Sequence, residues 1–232
     1  MKRFFGRREG DEIIIEEGEL VHMRGVLRFK VGDKFIACID DENDYYCTLT
    51  ELGKNKAVAK IEKVERCEAL PKKNIVLFFA MPKREYFEPI ITQAVELGAS
   101  EIQPFISHFS VNHAFKRERA EQIILTACKQ CERSALVPLN DVISFDKTIG
   151  KLKNFDIVIF ANEHESKPYN LHELQNHQNI AVIVGCEGGF TQQECDAIIK
   201  AGAQSISLGT RILRCTTACV ALMSLVSVAS GN

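Results

Sequence analysis

From residue 75 onward, short continuous apolar runs alternate with segments of helical periodicity. The apolar runs cover residues 75–81, 102–106, 157–161, 180–184 and 205–208. The helical patterns cover residues 86–97, 115–135, 191–201 and 211–229. A short apolar run without alternation is typical of a strand that is covered on both faces. The pattern therefore predicts an α/β fold, a parallel sheet with helices on both faces.

Residues 1–70 follow a different pattern. Strand-like runs at 12–15, 34–39, 45–49 and 57–64 are separated by polar turns. Short strands at this spacing predict a small β-barrel or sandwich. The stretch Pro71-Lys72-Lys73-Asn74 has the composition of a boundary. We therefore expect two domains, residues 1–70 and residues 71–232.

The composition excludes several classes of protein. The chain has 232 residues, is 46% hydrophobic and 26% charged, and carries a formal net charge of −2. These values are ordinary for a globular protein and argue against disordered and fibrous chains. The charge balance predicts no general attraction to nucleic acid, so a polyanion site must be a local patch. Nine scattered cysteines and a start without an apolar signal segment predict reduced thiols in the cytoplasm.

Two local patterns each allow a second interpretation. Cys128-Lys-Gln-Cys131 could serve metal or redox chemistry, but no second pair supplies the four ligands of a zinc site, so we predict no metal. Residues 215–232 carry no charge. The serines and threonines in this stretch, and the lack of flanking cations at its far end, favour a helix buried against protein over a membrane span.

A glycine-rich segment, Val184-Gly185-Cys186-Glu187-Gly188-Gly189-Phe190, follows one apolar run and precedes a capping-box pattern, Thr191-x-x-Glu194. Ligands of open α/β sheets bind beyond the carboxyl ends of the strands, and glycines let them approach the backbone. The segment lacks both phosphate-binding glycine motifs, and Glu187 would repel phosphate. We therefore predict a loop for a neutral or cationic ligand; the alternative is a tight strand–helix turn.

A second loop, residues 207–218, follows the last apolar run. Gly209 ends the run, and Arg211 and Arg214 are expected to open the last helix. Cations at a helix N-terminus oppose the macrodipole, which suggests that these two have another use. Their planar guanidinium groups suit an anionic ligand. The alternative is that one of them pairs with a carboxylate such as Glu187.

The two loops, VGCEGGFTQQE and LGTRILRCTTA, resemble the paired signature of the RsmE-type 16S rRNA uridine N3-methyltransferases of the SPOUT superfamily. That signature reads G-P-E-G-G-[FL]-[ST]-x-x-E and then L-G-x-R-[IV]-L-R-T-E-T-A. Further agreement lies in H-x-x-x-V-L-R at 22–28, E-L-G at 96–98 and Q-C-x-R at 130–133. The resemblance spans nearly the whole chain in the same order.

The resemblance implies an amino-terminal PUA-like β-barrel that binds RNA, followed by an α/β domain tied in a trefoil knot. It also implies a homodimer that binds S-adenosylmethionine and methylates N3 of a uridine in the decoding region of 16S rRNA, within the 30S subunit. The cofactor-binding positions carried over are Ala161, Asn162, Gly185, Glu187, Gly188, Gly189, Leu208, Gly209, Arg211, Ile212, Leu213 and Thr217.

The chain departs from the family pattern at several positions. Cys186 replaces a proline, Cys215-Thr216 replaces Thr-Glu, Gln93 replaces a lysine and Phe109 replaces an arginine. The change to Thr216 removes a charge near the predicted pocket. The alternative function is therefore a non-catalytic RNA-binding or ribosome-assembly factor on the same fold. A nucleotide-dependent oxidoreductase is a third possibility, although its dinucleotide fingerprint is missing.

Methyl transfer to uracil N3 requires loss of the N3 proton and a cation that stabilises the resulting anion. Arg211, Arg214 and Arg133 are the candidate cations, and Glu187 is either the base or a residue that orients its loop. Basic groups in an otherwise balanced chain predict contacts with RNA phosphates. The candidate RNA contacts are Arg3, Arg7, Arg8, Arg24, Arg28, Lys83 and Arg84.

Overall fold

The computed structural model describes residues 1–111, 115–165 and 171–232. They divide into two compact units. The first contains Met1–Leu70 together with Cys128–Leu136, and the second contains Pro71–Ala127 and Val137–Asn232. The first unit thus includes a short segment from much later in the chain.

The first unit is built on a six-stranded sheet. Its strands are β1 (Arg3–Phe5), β2 (Arg7–Glu9), β3 (Glu12–Glu16), β4 (Lys34–Cys38), β5 (Asn43–Leu52) and β6 (Lys56–Arg66). Their order is β1-β4-β5-β6-β3-β2, and every pair is antiparallel except β1 with β4. The four predicted strands are therefore confirmed as β3 to β6.

The sheet curls because β1 and β2 lie at its opposite edges although only Gly6 separates them in the chain. A Cβ at Gly6 would lie 2.5 Å from the Ile14 carbonyl oxygen, so a larger residue does not fit at this junction. The concave side encloses an apolar core that includes Phe4, Ile13 and Phe35. This curled sheet agrees with the predicted small β-barrel. The helix α1 (Glu17–Val21) and a π-helical turn (His22–Val26) follow β3.

The second unit contains a parallel sheet, as predicted. Its strands are β7 (Asn74–Ala80), β8 (Glu101–Ile106), β9 (Ile143–Ser144), β10 (Ile157–Ala161), β11 (Asn179–Val184) and β12 (Gln204–Ile206). They follow the order β12-β10-β11-β7-β8-β9, with every pair parallel. The chain crosses from β9 to the far side of β7 before it forms β10. The trefoil knot implied by the resemblance stays a prediction.

The helices of the chain beyond β7 are α2 (Arg84–Glu96), α3 (Arg117–Gln130), α4 (Phe145–Leu152), α5 (Gln192–Lys200) and α6 (Cys215–Ser230), with a 3-10 turn at Leu171–Asn176. Two predicted boundaries were wrong. The helix α3 ends at Gln130 rather than at 135, because Glu132 has a left-handed backbone with φ +66°. The helix α6 begins at Cys215 rather than at 211, because Arg214 has an extended backbone.

The uncharged carboxyl-terminal stretch forms α6. The helix buries a face that includes Cys219, Leu222, Met223 and Val226. None of the helices within the described ranges is long and apolar enough to cross a membrane.

Candidate active site

Three loops at the carboxyl ends of adjacent strands line one cleft. The strands are β12, β10 and β11, which are neighbours in the sheet of the second unit. The cleft has a volume of about 710 Å³, including the part that is open to solvent. This is the position where open α/β sheets bind their ligands.

The glycine-rich loop after β11 contributes Gly185, Glu187 and Gly189 to the cleft. Its turn closes where the Gly189 N–H donates to the Cys186 carbonyl at 3.0 Å. Gly189 has φ +65°, a left-handed conformation that favours glycine. A Cβ at Gly185 would lie 3.1 Å from the Gly189 Cα. The segment is therefore a tight strand–helix turn, and the same turn exposes backbone to the cleft as a ligand-binding loop would.

Gly188, also predicted to contact the cofactor, is not among the residues that line the cleft. A Cβ at this position would lie 2.7 Å from the Cβ of Phe109. Phe109 is 46% exposed and occupies the position where the family pattern has an arginine. Gly188 is therefore small because it packs against Phe109.

The Glu187 carboxylate anchors the glycine-rich loop. Its Oε1 accepts a hydrogen bond of 2.9 Å from the backbone N–H of Lys83, the residue that precedes α2. Within the described ranges, no ion pair joins Glu187 to Arg211 or Arg214. The suggested pairing with a loop arginine was therefore wrong. Of the two roles considered for Glu187, the contact with Lys83 favours orientation of the loop.

The loop after β12 contributes Leu208, Gly209, Arg211, Ile212 and Leu213 to the cleft. Gly209 has φ +109°, which again favours glycine. Ile212 is 87% exposed, so it has almost no packing within this single chain.

The two loop arginines precede the first turn of α6 and do not belong to it, contrary to the prediction. Arg211 lies in the loop and lines the cleft, whereas Arg214 lies at the N-cap position. Both are exposed, and neither has an ion-pair partner among the residues that the structure describes. Thr217 is exposed on the first turn of α6 and does not line the cleft; Ala218, one residue later, does.

The last residue of β10, Ala161, and the loop that follows it line the cleft, as the resemblance implied for Ala161 and Asn162; the loop also contributes Glu163 and His164. The Asn162 N–H donates to the Ile206 carbonyl at 3.0 Å, and its side-chain amide donates to Ser205 Oγ at 3.2 Å. Asn162 thus ties the end of β10 to β12. Glu163 and His164 were not predicted from the sequence, although their position directly after a predicted parallel strand was a usable signal.

Apolar side chains form the inner wall of the cleft. Phe160 and Phe190 meet edge to face, with their ring centroids 5.4 Å apart. Cys186, Cys195 and Cys215 are buried and line the same cleft. Burial raises the pKa of the Cys215 thiol to about 11 and also raises the pKa values of the other two. These thiols therefore stay protonated at neutral pH and act as small apolar groups.

Comparison with known families shows which protein family this chain belongs to. Residues 68–227 match the RNA methyltransferase domain, and residues 15–62 match the RNA methyltransferase PUA domain. This chain belongs to the RNA methyltransferase family. The PUA match confirms the predicted PUA-like domain, and the resemblance to the RsmE type is confirmed as well.

Several relatives carry one name, ribosomal RNA small subunit methyltransferase E. The protein of Mesomycoplasma hyopneumoniae is 33% identical over 97% of this chain and 98% of its own length. The protein of Bacillus subtilis is 30% identical over 90% of this chain and 87% of its own length. A crystal structure of the Neisseria gonorrhoeae protein, bound to S-adenosyl methionine, is 27% identical, covers 97% and 95% of the two chains and has a TM-score of 0.85.

The comparisons favour a methyltransferase over a non-catalytic factor, since these relatives are all named as enzymes. The departures at Cys186 and Cys215 are consistent with this assignment. Both side chains are buried in the wall of the cleft, so a small apolar side chain is sufficient there.

Arg133 of this methyltransferase lies in the first unit, in the short segment Cys128–Leu136. It is only 4% exposed, and burial lowers the pKa of its guanidinium. Cys67, Cys128 and Cys131 lie near it, and their thiols oppose this lowering only when they are ionised. The cleft is lined by residues of the second unit, so a catalytic role for Arg133 stays a prediction. No metal-binding group was found among the described His, Cys, Asp and Glu residues.

The predicted RNA contacts of the methyltransferase differ in their surroundings. Arg3 is held by Asp44, with Nη2 to Oδ2 at 2.8 Å, and its side chain is only 6% exposed. The prediction that Arg3 contacts RNA was therefore wrong, because its charge is already used inside the fold. The other six predicted contacts are exposed. Arg7 pairs with Glu16, and Arg8 and Arg24 donate to backbone carbonyls. The remaining three are Arg28, Lys83 and Arg84.

Proposed function

We propose that the cleft binds S-adenosylmethionine and that the chain methylates N3 of a uridine in the decoding region of 16S rRNA. One observation carries the proposal. Three loops after neighbouring strands expose their backbone to one cleft. The chain is also similar to ribosomal RNA small subunit methyltransferases E, and the Neisseria protein of that name is bound to S-adenosyl methionine.

The chemistry of the cleft fits this cofactor. Phe160, Phe190 and Ile212 offer apolar surface to the adenosine. Glu163 and Glu187 place two carboxylates in the lining, which suits a ligand with a sulfonium and an ammonium charge. Gly185 and Gly189 leave backbone atoms accessible, so the residues expected to hold the cofactor are those that line the cleft. Gly188 and Thr217, which do not line it, would act by shaping the neighbouring backbone.

S-adenosylmethionine supplies an electrophilic methyl group when bound. The residues of the chain must favour the deprotonated form of the uracil ring, because only that form has a free electron pair at N3. Arg211 and Arg214 are suited to this task, since a nearby cation lowers the pKa of an acid. Their exposure and their lack of ion pairs within the described residues leave both charges available to the base. The apolar wall excludes water, which strengthens this electrostatic effect.

We further propose that the active form is a homodimer. Ile212, Leu225 and Val228 are 87%, 41% and 79% exposed, although all three are apolar. Ile212 lines the cleft, whereas Leu225 and Val228 lie further along α6, and we propose that a second copy covers all three. In such a dimer, the partner subunit would be the source of Arg133 if this candidate cation acts at the cleft.

Recognition of the substrate is assigned to exposed cations. Arg7, Arg8, Arg24 and Arg28 belong to the first unit, whose family relationship is to the PUA domains of RNA methyltransferases. The near-neutral charge of the chain suits recognition of a folded RNA by shape rather than by bulk attraction. The proposed substrate is 16S rRNA assembled in the 30S subunit, and the proposed location is the cytoplasm.

The test maps methylated uridines in 16S rRNA from a strain that lacks the gene. A methyl group on N3 blocks the Watson–Crick edge, so it stops reverse transcriptase at a defined nucleotide. We expect one stop to disappear in the deletion strain and to return with the wild-type gene but not with Arg211→Ala. Persistence of every stop would contradict the proposal and favour the non-catalytic alternative. Purified protein assayed on naked 16S rRNA and on 30S subunits identifies the form of the substrate.

A further inference from the structure

A second pocket of the second unit lies between the first turns of α2 and α3. It has a volume of about 530 Å³, including the part open to solvent. The residues that the argument uses are Arg84, Phe87, Glu88, Phe115, Lys116 and Arg119. The comparisons assign no role to this basic-aromatic pocket, and it shares no lining residue with the cleft.

The lining of the pocket is cationic. Arg119 donates to both oxygens of Glu88, at 3.1 and 2.9 Å. This pair neutralises one cation and holds the guanidinium in place, and Arg119 lowers the pKa of Glu88 through the same hydrogen bonds. Arg84 and Lys116 are exposed and have no ion-pair partner among the residues that the structure describes. The four charged side chains therefore leave an excess of two positive charges.

An apolar floor strengthens the field of these cations. Phe87 is buried, and its ring centroid lies 4.7 Å from that of Phe115, with 30° between the ring planes. Apolar walls of low dielectric constant focus the field of charges at the rim of a pocket. A polyanion that enters this pocket is attracted more strongly than at an open surface with the same charges.

The backbone adds to the positive potential. The helix α2 begins directly after Lys83, and the Ala120 N–H donates to the Lys116 carbonyl at 3.1 Å in the first turn of α3. Both helices thus begin at the pocket, where the positive end of each macrodipole adds to the side-chain charges. The helices support the cations here and are not themselves the site.

A hydrogen bond connects this pocket to the cleft. The N–H of Lys83, next to Arg84 in the chain, donates to Glu187 of the glycine-rich loop. A ligand that lies along the start of α2 would therefore extend from the pocket towards the cleft. A polynucleotide can do this, whereas a single phosphate ion cannot.

We propose that the basic-aromatic pocket binds a backbone phosphate of the substrate RNA, in the strand that flanks the methylated nucleotide. This inference rests on the proposed function for the identity of the RNA. Arg84 and Lys116 contact the phosphate directly. Glu88 positions Arg119, and the two phenylalanines exclude water from beneath the phosphate.

The test compares the double variant R84A/K116A with a control, K147A/K200A, which removes the same charge from two exposed lysines of the second unit. The probe is a fluorescein-labelled single-stranded RNA with the decoding-region sequence, and its anisotropy is measured over a salt series. Loss of this phosphate contact weakens RNA binding about tenfold at 0.15 M salt and reduces the salt slope by about 0.7, the value for one phosphate of a single strand. The control has the affinity and slope of the wild type.

Calorimetry with S-adenosylmethionine and urea denaturation accompany the RNA titration. We expect R84A/K116A to keep the cofactor affinity and stability of the wild type. Unchanged RNA affinity, an equal loss in the control, or a parallel loss of cofactor affinity would each overturn the proposal. If inorganic phosphate binds the wild type but the double variant binds RNA normally, the pocket serves a free anion and the proposal also fails.

The two proposals fail in different ways. If the wild type does not bind S-adenosylmethionine, the proposed function is wrong, but the RNA titration still measures the pocket. If the wild type binds the cofactor and R84A/K116A binds RNA normally, only the assignment of the pocket is wrong.

Discussion

The arginines of the two units illustrate two uses of the same side chain. Arg3 of the first unit is nearly buried and is fixed by Asp44 and by Ser134, with Nη1 to Ser134 Oγ at 3.0 Å. Arg211 and Arg214 of the second unit are exposed and have no ion pair within the described residues. A buried cation must be paired because desolvation is costly, so its charge serves the fold. An exposed, unpaired cation beside a cleft has no such structural role and is available to a ligand.

The largest expected effect comes from removing the partner of Arg3. Asp44→Ala leaves a buried guanidinium without its carboxylate, and we expect the free energy of unfolding to fall by about 3–5 kcal/mol. Urea denaturation measures the change. The matched control is Arg7→Ala, because Arg7 pairs with Glu16 at the surface, where such a pair contributes about 0–1 kcal/mol. Equal losses in the two variants would remove the distinction between a buried and an exposed pair.

The loop arginines are expected to show the opposite behaviour. Arg211→Ala and Arg214→Ala should each lower the rate of methyl transfer about 10²–10³-fold at saturating cofactor, because a preorganised charge at the developing anion is lost. Their urea midpoints should stay at the wild-type value. Arg211→Lys keeps the charge and should recover part of the rate. Wild-type rates with either alanine variant would show that the unpaired arginines are not used in the reaction.

Two glycines, one in each unit, have nearly the same left-handed backbone conformation and allow the units to be compared directly. Gly189 has φ +65° in the cleft, and Gly10 has φ +60° in the turn between β2 and β3. Alanine at either position costs about 1–2 kcal/mol of stability in this left-handed conformation. Only Gly189→Ala should also weaken binding of S-adenosylmethionine, which calorimetry detects. If Gly10→Ala weakens binding equally, the effect arises from general destabilisation and not from the loop.

The smallest effect is a pH dependence of the Arg3–Asp44 pair. Burial by itself raises the pKa of the Asp44 carboxyl, but the hydrogen bonds from Arg3 and Ser134 outweigh it and hold that pKa below its ordinary 3.8. A lowered pKa in the folded state means that the stabilisation is fully present above pH 3.8 and is lost as the pH falls below it. Urea denaturation from pH 7 to acid should show this loss in the wild type and not in Asp44→Asn. A loss of equal size in the variant would assign it to other carboxyls.

The parallel sheet could be predicted because its main strands are continuous apolar runs. The strands β1, β2 and β9 could not, since they have only two or three residues and depend on partners elsewhere in the chain. The alternation of buried and exposed positions has no room to develop over such a length. The helix α3 was predicted too long because a left-handed residue such as Glu132 leaves no mark in a hydrophobic pattern.

The parts of the candidate site that are formed by residues adjacent in the sequence could be predicted. Gly185 and Gly189 stand in a loop whose position after a strand is visible in the sequence, and the structure places both in the cleft. The burial of Arg3 was not visible, because its partners Asp44 and Ser134 lie 41 and 131 residues away. The packing of Gly188 was not visible either, since its neighbour Phe109 belongs to a distant segment, and its role in cofactor binding stays a prediction.

The central claim is that the three loops bind S-adenosylmethionine through exposed backbone. Calorimetric titration of the cofactor, on protein freed of any co-purified ligand, into wild type and Gly185→Val tests it most directly. A side chain at Gly185 meets the Gly189 backbone and Phe190 at about 3.1 Å, so it must displace the turn. We predict saturable one-site binding to the wild type and its loss in the variant. No binding to the wild type, or equal binding to a folded variant, would contradict the account.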